Sequence, residues 1–496
     1  MIVMKFGGTS VDSGEAIARL TGIVNSHLEQ QPVVVVSALG KTTNKLVEFA
    51  EHARRGDHYL ACKCLDELHD HHFEVAGEVT YGDALRRLET SLQRSFRDLR
   101  VIGSEVADEG REVTPALLDE IASFGERMSS EIVAAALEAG AIPSVHLDAR
   151  QVILTDRRHT QATPLYWESY AKLRRVIPYL SDGRVVVMGG FIGATEDGAT
   201  TTLGRGGSDL TASIVGAGIS AAEIQIWTDV DGMLTCDPRV LQGGYRLRSL
   251  SYQEAAALAQ AGAKVLHPDT VTPAVRQRIP LVIKNSRRPE VEGTRIALSA
   301  TTCSNPVKAI ACKADLTVLE IRSEQEGDSE ELAEALGEMC GRYGMPAEFL
   351  CQNSGTIFLA LKSSARYHNL AIELEGCVEV RLHPRSAILT LVGEGIDSAS
   401  EVTARALAAL KQIPVTMISS ARSQLAVSLI VPSGELRKSV EMLHREFFQR
   451  IDTAVFAECR EAEFQSPQTF SNGNEPGEVA TVNTRRFRPL TVVNQN

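Results

Sequence analysis

Several things are missing from this chain, and each absence removes a class of function. No run of 18 or more apolar residues occurs, so no segment is built to cross a membrane as a helix. The first twenty residues carry Asp12 and Glu15 and no apolar block, unlike a secretion signal. A basic excess is missing too. Lys and Arg number 51 against 63 Asp and Glu, and the net charge of −12 argues against a nucleic-acid partner. The nine cysteines are odd in number and scattered over 496 residues, which reads as reduced thiols in a cytoplasmic protein rather than a disulfide framework.

Three familiar motifs are absent despite look-alikes. SALGKTTN (37–44) ends like a phosphate-binding P-loop, but the required first glycine falls at Val35. VGEGIDSA (392–399) follows a strand pattern like a dinucleotide fingerprint, yet its third glycine position is Ser398 and the unit around it is too small. CKCLDELHDHH (62–72) holds Cys62, Cys64, His69, His71 and His72, but residues two apart face away from each other on a helix. The spacing matches no zinc pattern, and no metal site is assigned from it.

What is present is ordinary globular material, 44% hydrophobic and 23% charged, in a length that suggests about three domains. From 1 to about 300, short β-branched runs (IVMKF, PVVVVSA, RVVVMGGF, AEIQIWTDV, PLVIKNS) alternate with longer helical stretches. Near-continuous apolar strands imply a mainly parallel α/β sheet with both faces covered. An insertion from about 50 to 120 reads as helical. After a break at TTCSNP (301–306) the units shrink to two tandem βαββαβ patterns, 305–384 and 385–459, each predicting helices on one face of a small sheet, with consecutive and interleaved folding of the two both open. From 460 to 496 the chain turns polar and reads as a disordered tail.

Two glycine-rich turns carry the chemistry. In MKFGGTSV (4–11) a strand ends in Gly7 and Gly8, where backbone N–H groups and a following helix favour an anion, and Lys5 adds a compact positive charge. Asp12 and Glu15 have capping-box spacing for that helix. In TTTLGRGGSDLTA (200–212), Gly204, Gly206 and Gly207 leave backbone free to wrap a phosphate, and Ser208 is placed to cap a helix starting near Asp209. Arg205, set among glycines, suits a carboxylate or phosphate better than a core. Glu126 and Arg127 interrupt an apolar helix face beside Gly125; a solvated ion pair explains them as well as a site does. Asp229, Asp231, Asp237 and Arg239 follow a buried strand, where α/β sheets place ligands and where Mg²⁺ could be held.

Taken in order, KFGGTSV, SALGKTTNKLV, VTPALLDEIASFGERMSS, GGFIGATEDGATTTLGRGGSD, IWTDVDGMLTCDPRV and GAKVLHP resemble the aspartate kinases, most closely the monofunctional type. The resemblance implies a three-layer αβα amino-acid-kinase domain followed by two ACT domains, with no room for a homoserine dehydrogenase. It implies transfer of the ATP γ-phosphoryl to the side-chain carboxylate of L-aspartate, with Mg²⁺. That step opens lysine, threonine, methionine and diaminopimelate synthesis. By resemblance, Lys5 and Asp209 are catalytic. Arg205 takes the substrate α-carboxylate and Glu126 its α-amino group, with Ser37, Ala38, Thr43, Phe191 and Ser208 completing the aspartate pocket. Gly7, Gly8, Gly206 and Gly207 border the phosphates, and Thr228, Asp229, Asp237, Arg239 and Lys264 contact the nucleotide. An aspartate nucleophile, with a pKa near 3.9, is already ionised and needs no general base. A homodimer or dimer of dimers through the ACT units follows, with lysine or threonine as candidate effector. Two other readings stay open at this point: a kinase for another small acid, and a catalytically weak amino-acid sensor.

The chain departs from the family pattern at four places. His159-Thr160 stands where Phe-Gly is usual, and Leu234 replaces a tyrosine near the adenine. The stretch 323–340 is long and acidic where lysine-sensitive relatives carry an effector loop, which leaves lysine inhibition and an altered or absent effector both open. The turn at 419–424 is also unusual.

Overall fold

A computed structural model describes residues 1–107, 112–263, 268–322, 329–353, 356–363, 367–374, 378–420 and 425–459. The acidic segment at 323–328, most of the 419–424 turn, Lys264 and the expected tail at 460–496 lie outside these residues.

The N-terminal region is built on strands Ile2–Phe6 (β1), Pro32–Val36 (β2), Ser144–Leu147 (β3), Val185–Gly189 (β4), Ile224–Thr228 (β7), Ser249–Ser251 (β9), Leu281–Asn285 (β10) and Thr294–Ala297 (β11). Two small pieces, Ile192–Ala194 (β5) and Thr200–Thr202 (β6), form a hairpin, and Arg246–Leu247 is β8. The eight-stranded sheet runs β3-β4-β2-β1-β7-β10-β11-β9, with only the β10–β11 pairing antiparallel. All five expected strands appear within their predicted runs.

Alternation along β1 decides which layer each side chain meets. Ile2, Met4 and Phe6 pack with Val34, Val36, Val187 and Trp227 against one helical layer. That layer holds Gly14–Asn25 (α1), Thr42–Arg54 (α2), His58–Val79 (α3), Gly82–Ala107 (α4) and Pro115–Ala139 (α5). Val3, with Val33, Val35, Met188 and Ile226, packs against the other layer, which includes Tyr166–Leu180 (α6), Gly207–Ile219 (α7), Tyr252–Gln260 (α8) and Pro268–Arg276 (α9). The three-layer αβα sandwich follows, and α3 with α4 is the expected helical insertion. Ser13, not Asp12, caps α1: its side chain accepts from the Ala16 N–H.

Beyond residue 305 come Ala309–Arg322 (β12), Ser329–Arg342 (α10), Phe349–Asn353 (β13), Thr356–Lys362 (β14), Tyr367–Leu374 (α11) and Glu379–Val392 (β15). Ala399–Ala409 (α12), Met417–Ser420 (β16), Ala426–Pro432 (β17), Leu436–Phe448 (α13) and Phe456–Ala457 (β18) follow. The strands form one antiparallel sheet in the order β13-β14-β12-β15-β17-β16. The two small units share their central strands. Leu316–Arg322 pairs with β14 and the first half of β15, while Ala309–Lys313 pairs with Ile388–Val392, the half of β15 that also pairs with β17. The changeover falls where Asp315 and Arg385 take left-handed backbone (φ 56° and 51°) and the register shifts.

The second unit is welded to the catalytic region. β18 pairs with β8, Ile310 N–H donates to Thr235 O at 2.7 Å, and one continuous core runs from Val3 to Phe456. At the same junction Lys308 Nζ lies 2.9 Å from Glu254, and both side chains are almost fully buried. Among the described residues, no helix is long and apolar enough to cross a membrane.

Candidate active site

The parallel register brings the strand ends to one edge: Phe6 stands beside Val36 and Trp227, Val36 beside Gly189, and Thr228 beside Asn285. Loops leaving that edge are where open α/β sheets bind ligands. A cavity of about 470 Å³ opens there, lined by Lys5, Ser37, Thr43, Glu126, Phe191, Gly204, Arg205, Gly206, Gly207, Ser208 and Asp209. Its size suits a small molecule. The two glycine-rich turns, some two hundred residues apart in the chain, thus form one wall.

Each charged group arrives by a local rule. Lys5 points to the face of β1 that meets α7, and α7 begins at Gly207, so Asp209 falls in its first turn. Lys5 Nζ lies 2.7 Å from Asp209 Oδ1. An ammonium carries three donors, so pairing with one carboxylate oxygen leaves others for an incoming anion. Arg205 is exposed and has no ion pair with another described residue. Its loop carries positive φ at Gly204 (73°) and Gly206 (71°). Gly207 is a matter of space, because a Cβ there would lie 2.7 Å from the Phe191 ring.

Glu126 projects from α5 and is 3% exposed, and its Oε2 has no partner. Burial pushes its pKa up to about 8, against an opposing contribution from the Ala38 N–H that donates to it. Glu126 and Arg127 are not a solvated pair. Arg127 lies over the Phe124 ring, 4.4 Å from its centre, and burial lowers its pKa. The cavity therefore offers two cations on one side and a buried acid with one free oxygen on another, a set complementary to a small zwitterion with an extra carboxylate.

Some expected roles change in detail. Ser208 does not cap α7; Gly206 occupies the N-cap, and Ser208 Oγ instead accepts from Ser37 Oγ at 3.0 Å. The Gly7 N–H is spent on the Trp227 carbonyl at 3.0 Å. Gly8 allows close approach of the 38–40 turn, since a Cβ there would sit 2.9 Å from Gly40 O. Thr228 and Asp229 stand at the end of β7 outside the cavity lining, with Thr228 Oγ1 donating to Asp229 at 3.2 Å. Asp237 clasps Arg239 through both carboxylate oxygens. The Cys62–His72 stretch places Cys64 beside Glu48 and His52 of α2, with ligand atoms within 4.8 Å of one another. Glu48 and His52 already pair at 3.6 Å.

Sequence reasoning missed Asp119. It is 1% exposed, lies two turns before Glu126 on α5, and accepts hydrogen bonds from His159 Nδ1, Thr160 N–H and Thr202 Oγ1. A second acid on the same helix face at heptad spacing was the available signal.

Comparison with known proteins gives the family. The amino acid kinase family profile matches residues 1–285, and an ACT domain profile matches 389–447. Lysine-sensitive aspartokinase 3 of Escherichia coli is 31% identical over 462 residues, 90% of this chain and 99% of that protein. The chain belongs to the aspartokinases. The crystal structure of E. coli aspartokinase III with aspartate and ADP, the R-state, superposes with a TM-score of 0.76 at 29% identity, covering 90% of this chain and 100% of the other. The T-state complex of the same enzyme with lysine and aspartate gives 0.78 at 29% identity, with the same coverage.

Proposed function

We propose that this aspartokinase places L-aspartate in the cavity with its α-carboxylate on Arg205 and its α-ammonium on Glu126. Its side-chain carboxylate then faces the γ-phosphoryl of ATP. The observation that supports this most is the joint placement of Lys5, Glu126, Arg205 and Asp209 around one 470 Å³ space. Phosphoryl transfer asks mainly for positioning and charge stabilisation, and the hard part is bringing a carboxylate to a polyanion. Lys5 answers that repulsion, and Asp209 holds it in place. Ser37 and Ser208, linked to each other, and the N-terminus of α7 add donors on the same wall.

ATP is the co-substrate, its base and ribose assigned to the Thr228–Arg239 loops and to Lys264. Mg²⁺ belongs to the same reading: Asp229, at the end of β7, would help hold it together with phosphate oxygens and water, and the ion would offset the phosphate charge. The shared ACT strands, joined to the catalytic region where Ile310 of β12 meets Thr235, offer a route for feedback by an amino acid. Lysine is the first effector to test and threonine the second. The ACT edges are the proposed surfaces for a homodimer or dimer of dimers, in a cytoplasmic setting.

A coupled assay of ADP release tests the reading. L-aspartate should support ATP- and Mg²⁺-dependent turnover, while glutamate and N-acetylglutamate should not. Aspartate binding without ADP release would instead support the sensor reading.

A further inference from the structure

Arg205 is exposed, sits between two glycines of positive φ and has no ion pair with a described residue. Such a loop does not fix a guanidinium by itself, because glycine leaves its backbone freest. Something outside the loop must set where Arg205 stands relative to Glu126.

We infer that Asp119 and His159 are positioning residues that set this separation, an inference that rests on the aspartate-binding reading above. Asp119 accepts from Thr202 Oγ1 at 2.5 Å, from Thr160 N–H at 3.0 and 2.9 Å, and from His159 Nδ1 at 2.9 Å. Thr202 ends β6, three residues before Arg205. The 156–164 loop is tied to the same place: Ala162 N–H donates to Thr202 O at 2.9 Å, and a Cβ on Gly204 would lie 3.3 Å from Thr160 O. One buried carboxylate therefore ties the strand leading into the Arg205 loop to the 156–164 segment packed beside it. Its own helix carries Glu126 seven residues further on, on the same face.

Thr160 shows that the arrangement is held against resistance. Its φ of 71° is unfavourable for a β-branched residue, and its N–H is the group shared between both Asp119 oxygens. His159, 18% exposed through its side chain, closes the cluster on its outer side. Neither Asp119 nor His159 lines the cavity, so both act on substrate through Arg205.

The test compares His159→Phe, which keeps a planar ring and removes the donor, with His159→Asn, whose amide can replace Nδ1–H. His159→Phe should raise the aspartate KM by roughly tenfold, the scale of a hydrogen bond to a charged group, with much smaller changes in kcat and in the ATP KM. His159→Asn should recover most of the loss. An unchanged aspartate KM in His159→Phe, a parallel rise in the ATP KM, or equal damage in both variants would each overturn the inference. Hydrogen exchange of the 203–207 amides provides a readout independent of turnover: His159→Phe should accelerate it and His159→Asn should not. Should the wild-type protein fail to turn over aspartate, the functional reading falls, while the exchange rates still decide whether Asp119 and His159 hold the loop.

Discussion

Glu126 makes a quantitative prediction about pH. Burial pushes its carboxyl up to about 8. An α-ammonium needs the ionised form opposite it. At pH 7 only about one site in ten is ionised, and at pH 6 about one in a hundred. The apparent dissociation constant rises as the inverse of that fraction. Aspartate should therefore bind about tenfold more tightly for each unit of pH from 6 to 7, with the slope flattening above 8. Binding at pH 7 should release up to about one proton, which calorimetry in buffers of different ionisation enthalpy detects. The same group affects folding. Between pH 4.5 and about 8 the unfolded chain has lost this proton and the folded chain has kept it, so stability declines as pH rises through that window. By pH 7 the decline amounts to roughly 3 kcal/mol. Glu126→Gln should remove the pH dependence and the proton release, weaken aspartate binding, and leave the empty protein more stable at pH 8. A wild-type affinity that is flat between pH 6 and 8, or the same slope in Glu126→Gln, would refute the reasoning.

Three further outcomes are expected. Arg205→Ala should raise the aspartate KM by roughly 10- to 100-fold through loss of a charged hydrogen bond, and should not weaken binding of an aspartate analogue that lacks the α-carboxylate. His72 is fully buried with Nε2 unpartnered, and burial lowers its pKa to about 4. Stability should be full above pH 6.5 and fall by roughly 3 kcal/mol as pH drops to 4, a loss that His72→Leu should remove from urea midpoints. Lys308→Met strands the buried Glu254 at the junction with the ACT units, and should cost about 3–5 kcal/mol in chemical denaturation. Adding Glu254→Gln to Lys308→Met should recover part of that.

Much of the catalytic domain could be read from the letters because its strands are buried on both faces. Runs such as PVVVV announce themselves, and glycine-rich turns at their ends mark the ligand edge. Hydrogen-bond bookkeeping could not be read in this way. Nothing in KFGGTSV shows that the Gly7 N–H is taken by Trp227, more than two hundred residues away, or that Ser13 outcompetes Asp12 as a cap. Asp119 was easy to pass over for a similar reason: its heptad spacing to Glu126 is a weak signal in DEIASFGERMSS, where an acid near a helix start looks solvated, and its three partners come from a loop and a hairpin some 40 and 80 residues onward. The small units were legible as a repeat of elements. Their shared strands were not, because a left-handed residue such as Asp315 divides one strand between two units of a single sheet with no glycine beside it.

The central claim is that Lys5 stabilises charge on a phosphoryl group as it moves from ATP to a bound carboxylate. The most direct measurement is the steady-state rate of Lys5→Met against wild type at saturating aspartate and ATP. The account predicts a fall in kcat of roughly two to three orders of magnitude, the 3–4 kcal/mol typical of a donor to transition-state charge, with little change in aspartate KM. A folded Lys5→Met protein that retained the wild-type kcat would contradict it.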